Sequence, residues 1–220
     1  MTNKEKEKLF TQTIKQLSKK SNWKFKSYFT FKLIDDFFFE STFYSNPKQN
    51  RIWGWVAFKP YSLDDKYWEI TEMPENKKMP LSFRADAAFK VSSHPIYRFD
   101  VLLENGDNPE NEIADLIENI DSEVINIRRK ISTIEQFLDL LLKADNNPSV
   151  EILVCMIDQN EFEKAIEKIR FYRENQIKSG FRFGDKDFYD LAEEFCKKEL
   201  GLDKSFIRKL GNRVVNIFKN

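Results

Sequence analysis

The chain has 220 residues, 33% of them charged and 41% hydrophobic, with 36 basic side chains balanced by 36 acidic ones. That mixture excludes a disordered chain and describes a folded protein able to bury a full core, as one large domain or two small ones. A formal charge of zero removes the broad basic footprint that phosphate backbones require, so no nucleic-acid partner is expected and only a local basic patch stays open.

The opening MTNKEKEKLF lacks the apolar centre of a signal peptide, and no apolar run approaches the roughly 20 residues that span a bilayer. The expectation is a cytoplasmic protein without a membrane partner. The 21 phenylalanines, alongside many Lys, Asn and Ile, read as an AT-rich, bacterial composition filling core positions. Cys155 and Cys196 lie far apart in apolar helical patterns, outside any CxxC or Cys/His metal spacing, and read as buried free thiols.

Asn3 to Lys20 places Leu9, Phe10, Ile14 and Leu17 at helical spacing, with Thr2 or Asn3 available as the cap. From Trp23 the period becomes two, with Trp23, Phe25, Phe29, Phe31 and Leu33 on odd positions. Asp35 and Asp36 break the alternation as turn residues, and Phe37, Phe39 and Phe43 resume it, which predicts a hairpin. Phe38 and Tyr44 then fall on the opposite face. Whether they are exposed contacts or covered core depends on what lies over them.

Arg51 to Lys59 is apolar on both faces, with Gly54 between Trp53 and Trp55, and is expected to be a central strand covered on each side. Tyr67 to Thr71 reads as a short strand, and MPENKKMP as a surface turn. Leu81 to Val91 shows the cleanest alternation in the chain, through Leu81, Phe83, Ala85, Ala87, Phe89 and Val91. Tyr97, Phe99, Val101 and Leu103 continue it after Pro95. Short loops between such strands predict an antiparallel sheet.

After ENGDNPENE the pattern is helical, with Asp107 or Asn108 as cap and Pro109 in the first turn. Ile113, Ile117, Ile120, Val124, Ile127, Ile131, Ile134, Leu138 and Leu141 form a heptad seam, suited to intramolecular packing or to a coiled-coil dimer. Residues 128–133 offer a break, leaving open whether 109–143 is one helix or two. Val150 to Ile157 is too short for its period to decide helix or strand, but pairs naturally with a helix through Phe162, Ala165, Ile166, Ile169 and Tyr172 as a helical hairpin. Helices over 185–200 and 204–218 complete the chain. The predicted fold is α+β: residues 1–106 form an antiparallel sheet with an N-terminal helix, and 107–220 an all-helical half packed on it.

His94 is the only histidine, which excludes a two-histidine metal site. A Ser93/His94 pairing is disfavoured because neighbours in an extended chain point apart. The acids Asp35, Asp36 and Glu40, or Asp64, Asp65 and Glu69, have the chemistry for a divalent cation or for acid–base hydrolysis, and equally suit turns. Asp86 with Lys90 has the wrong spacing for a nuclease. The 6 glycines form no phosphate loop. No cofactor and no metal is expected. The rings and lysines of Trp23, Lys24, Phe25, Lys26 and Tyr28 resemble a single-strand-binding surface in composition, but alternation sends rings and cations to opposite faces. Lys59 to Phe89 is dense in rings, prolines and acids and suits protein recognition, with Asp64, Asp65, Tyr67, Trp68 and Arg84 as candidate contacts. The competing reading is a long hairpin whose rings complete the core.

The order of an N-terminal helix, WKFKSYFTFKLIDDFFFESTFY, IWGWVAFKP and a helical tail resembles small uncharacterised bacterial proteins, some of them immunity partners of secreted toxins. The resemblance covers the first half and carries no functional residue across. It implies a non-enzymatic, toxin-neutralising protein-binding role with another protein as partner. The rivals are a metal-dependent or hydrolytic enzyme using Asp64, Asp65, Asp86 or His94, and a structural protein that dimerises through the 113–141 seam, so that both monomer and homodimer remain open.

Overall fold

The structure is a computed structural model and describes residues 1–144 and 148–202. It is α+β, with a five-stranded antiparallel sheet and eight α-helices among the described residues. The expected helix over 204–218 lies outside the described residues. Contacts divide the chain into two compact units, one of residues 1–62 and 79–137, the other of 63–78 and 138–220.

The first unit begins with α1 (Asn3–Lys20), closed by a capping box in which the Thr2 hydroxyl accepts from the Glu5 N–H and the Glu5 carboxylate accepts from the Thr2 N–H at 2.7 Å. The strands β1 (Lys24–Lys26), β2 (Phe29–Ile34), β3 (Phe37–Asn46), β4 (Arg51–Pro60) and β5 (His94–Leu102) lie in the sheet in chain order. The β2–β3 hairpin turns on Asp35 and Asp36, with Asp35 at φ 50°, a left-handed conformation that Asp tolerates. Arg128 of α4 (Glu110–Lys130) reaches the Asp35 carboxylate at 3.1 Å and lies over the Phe37 ring at 4.5 Å.

Register puts Phe37, Phe39 and Phe43 of β3 on one face with Ile52, Val56 and Phe58 of β4 and Phe99 of β5. This inner face packs under α1 and α4. Phe10, Ile14 and Leu17 of α1 and Ile113, Ile117, Ile120 and Val124 of α4 are buried. Phe137, at the start of α5 (Ile134–Leu142), sets its ring edge-on to Phe58 at 5.2 Å. Asp121 of α4 ties the face to β2 by accepting from the Trp23 indole N–H at 2.9 Å and from the Lys32 ammonium. The first part of the heptad seam is thus buried inside this unit, and the helix does break, at Ile131–Thr133.

Two expected strands are not strands. Tyr67 to Thr71 falls in and just beyond α2 (Ser62–Ile70), where Leu63, Asp64, Tyr67, Trp68 and Ile70 are buried at helical spacing. Five residues were too few to separate a period of two from one of 3.6. Leu81 to Val91 contains only the short helix α3 (Phe83–Asp86). Both neighbours of β3 and of β4 are already strands, so this segment has no sheet edge there to join. It lies instead across the outer face, where Leu81 and Ala85 pack on Phe31 and Phe38. Its alternation is broken by the adjacent buried pair Arg84 and Ala85, and Phe89 is exposed.

In the second unit, α2 accompanies α6 (Ser149–Asp158), α7 (Phe162–Glu174) and α8 (Phe188–Glu199). Val150 to Ile157 is therefore helical, and α6 with α7 forms the expected hairpin. The later half is mixed rather than all-helical, because Arg182–Phe183 (β6) pairs with Lys186–Asp187 (β7) around Gly184 at φ 60°. Glycine adopts that left-handed φ at no steric cost. Asp187 then caps α8 in a capping box with Asp190. No helix among the described residues is long and apolar enough to cross a membrane.

Candidate interaction surface

The outer face of the sheet is half covered. Toward one end, Phe31, Phe38 and Lys59 lie beneath the 81–91 segment. Lys59 is fully buried, and its ammonium donates to the carbonyls of Val91 at 2.7 Å and Arg84 at 3.1 Å. Arg84 donates to the Tyr61 carbonyl at 3.0 Å with its guanidinium 3.6 Å over the Tyr61 ring. Two ion pairs join the segment to the sheet, Lys26 with Asp86 at 3.5 Å and Lys90 with Glu40 at 3.7 Å.

Toward the other end the same face is open and aromatic. Tyr44 stands opposite Trp53, and Thr42 opposite Trp55 and then Arg98, in adjacent rows across β3, β4 and β5. Tyr44 stacks on Trp53 at 5.8 Å and on Tyr28 at 5.9 Å, and meets Trp55 at 5.7 Å. Tyr28, Tyr44, Trp53 and Trp55 are 47%, 40%, 38% and 37% exposed, unlike the other sheet rings, which are mostly buried. Trp53, Trp55, Pro95 and Arg98 also border a shallow depression.

Charge on this patch is partly neutralised. Arg51 and Asp100 form a two-pronged pair, with Arg51 Nε 2.5 Å from Asp100 Oδ1. Arg98 carries no ion pair among the described residues. Stacked rings beside the Arg98 guanidinium present polarisable faces and positive charge, a chemistry that recognises acidic and apolar groups together.

The residues singled out from sequence lie elsewhere. Asp64, Tyr67 and Trp68 are buried in the second unit, where Tyr67 stacks on Phe188 at 5.4 Å and meets Phe181 edge-on at 5.9 Å. Asp65 is half-buried beside them in the first turn of α2. Arg84 is buried in the first unit as described. Asp86 is tied to β1 through Lys26, whereas His94 stands on β5 at the opposite edge of the sheet, opposite Phe58. Burial lowers the His94 pKa below its ordinary value, favouring the neutral ring. Ser93 Oγ has no hydrogen-bond partner among the described residues, so the Ser93/His94 pairing does not form. No group of three or more His, Cys, Asp or Glu among the described residues is placed to hold a metal ion.

Trp53 and Trp55 were legible as same-parity rings of β4 and Tyr44 as a ring off the inward parity of β3, but an expected cover on both faces of β4 hid their exposure. Arg51 and Tyr44 at the ends of the pattern were the signal that one end lies open.

No family model, no curated protein and no solved structure matches this chain.

Proposed function

We propose that this is a non-enzymatic protein-binding protein, of the immunity-like kind that the sequence resemblance implies, and that it recognises its partner with the aromatic half of the sheet's outer face. The observation that supports this most is the exposure of Tyr28, Tyr44, Trp53 and Trp55 as one stacked group on a rigid sheet. Tyr, Trp and Arg dominate the energetics of protein interfaces because they bury large areas with few torsions to freeze. Arg98, with no ion pair among the described residues, fits a partner that brings carboxylates to the rim, where charge sets orientation and encounter rate.

The test compares wild type with the Tyr44→Ala/Trp53→Ala variant. A partner is recovered from cell extract on the wild-type protein, purified, and titrated against both. The reading requires saturable binding by wild type and at least tenfold weaker binding by the variant, with unchanged circular dichroism. Equal binding by the two proteins overturns it. Quenching of Trp fluorescence by a single-stranded oligonucleotide, with no effect of the purified protein partner, reassigns the surface to nucleic acid.

A further inference from the structure

β5 is an edge strand of nine residues with a strand neighbour on one side only among the described residues. Edge strands are normally blunted, since their unpaired backbone groups invite another strand. Here the blunting devices cluster at one end, in Pro95 and in the register shift at Val56/Ala57. The shift leaves Ile96 without a partner on β4, and from Tyr97 to Leu102 the strand is regular.

The backbone orientation of that stretch follows from its continuation. Leu103 donates its N–H to the Asn50 carbonyl at 2.7 Å, so the odd-numbered residues turn their hydrogen-bonding groups toward β4. Arg98, Asp100 and Leu102 therefore turn theirs to the free side. Arg98 and Asp100 are exposed, and Leu102 is 68% exposed, the largest value among the exposed large hydrophobic residues.

We infer that this edge pairs antiparallel with the same edge of a second copy, about a two-fold axis through Phe99. Near the middle of the strand, three symmetric registers keep the outward-bonding residues opposite one another, centred on Arg98, Phe99 or Asp100. The first sets Arg98 against Arg98, and the third Asp100 against Asp100. The Phe99 register sets Arg98 of each copy against Asp100 of the other, twice. Opposite charges directly across a strand pair stabilise it and like charges oppose it, so the sequence of β5 is complementary to itself in one register alone. The pairing joins the two sheets and brings the aromatic patches of both copies onto one face. It engages Arg98 and leaves the exposed rings Tyr28, Tyr44, Trp53 and Trp55 open to whatever that face binds.

Sedimentation velocity over a range of protein concentrations tests the inference. Wild type is expected to associate reversibly to a dimer. Arg98→Asp places like charges opposite one another at both crossings and is expected to weaken association by about tenfold or more. Asp100→Arg acts the same way. Mixing the two variants restores complementary charges at both crossings, so a heterodimer is expected to form where neither variant self-associates. Circular dichroism of each variant excludes unfolding as the cause. A wild-type protein that stays monomeric, a dimer indifferent to Arg98→Asp, or a mixture that fails to form heterodimer overturns the inference.

Discussion

Tyr44 and Trp53 face one another across β3 and β4 with ring centroids 5.8 Å apart, and both remain more than a third exposed. On the proposed reading of this surface, such a pair contributes more to binding than to folding. Replacing either ring by alanine is expected to lower unfolding free energy by about 1–2 kcal/mol, read by urea titration, because part of each ring is already in water. Partner affinity should fall by about 2 kcal/mol or more for Trp53→Ala, the range of a hot-spot residue. A loss confined to stability would contradict the proposed surface.

Gly54 separates the two tryptophans for a steric reason. A Cβ added there would lie 1.8 Å from the Thr42 carbonyl oxygen and 2.7 Å from the Phe99 ring. The Phe99 ring occupies the space over the glycine and lies 5.3 Å from the Phe43 ring. Gly54→Ala is expected to destabilise by about 1–3 kcal/mol or more through overpacking, measured by thermal or chemical unfolding. Since the strand must shift to accommodate it, Trp53 fluorescence should change as well.

Lys59 holds the cover over the other half of the face. Lys59→Met keeps the length of the side chain and withdraws its donors from the Arg84 and Val91 carbonyls. The expected loss is about 1–3 kcal/mol. Hydrogen exchange should quicken over 81–91 before it quickens in β3, because the segment opens locally.

His94 makes stability depend on pH. Burial depresses its folded pKa below the unfolded value of 6.5, so the unfolded chain binds the proton first. The favourable contribution of the neutral ring is therefore complete above about pH 6.5 and declines as pH falls through the window below it. Thermal midpoints measured from pH 8 to pH 5 should show this decline, and His94→Gln should flatten its part of the slope.

The thiols are closed to reagents in the folded state. Cys155 and Cys196 are buried, burial raises both pKa values, and that of Cys196 rises to about 12. Thiolate is the reactive form, so a thiol-specific dye is expected to label neither residue until denaturant is added. Labelling at the rate of a free thiol in native buffer would contradict the packing around α6 and α8.

Much of the fold was readable from periodicity. The alternation of Phe37, Phe39 and Phe43 placed β3, the two acids placed its turn, and the spacing of Phe10, Ile14 and Leu17 placed the buried stripe of α1. Where a segment was short, or its partner distant, local pattern failed. Leu81 to Val91 alternates as well as any strand in the chain, yet β3 and β4 have strands on both sides, and the segment lies over the sheet face instead. The same reasoning fails at α2, where Tyr67 and Trp68 look like surface rings from their acidic neighbours and are core.

The sequence by itself determined which residues alternate, where the chain turns and caps, and that the face carrying Phe38 and Tyr44 needed an explanation, since these follow from backbone geometry and side-chain chemistry over a few residues. Only the tertiary structure decided that this face is closed over Phe38 and open over Tyr44, Trp53 and Trp55. That outcome depends on where a segment more than 20 residues further along comes to lie, pinned by Lys59 and two ion pairs, and no local pattern encodes so long a reach.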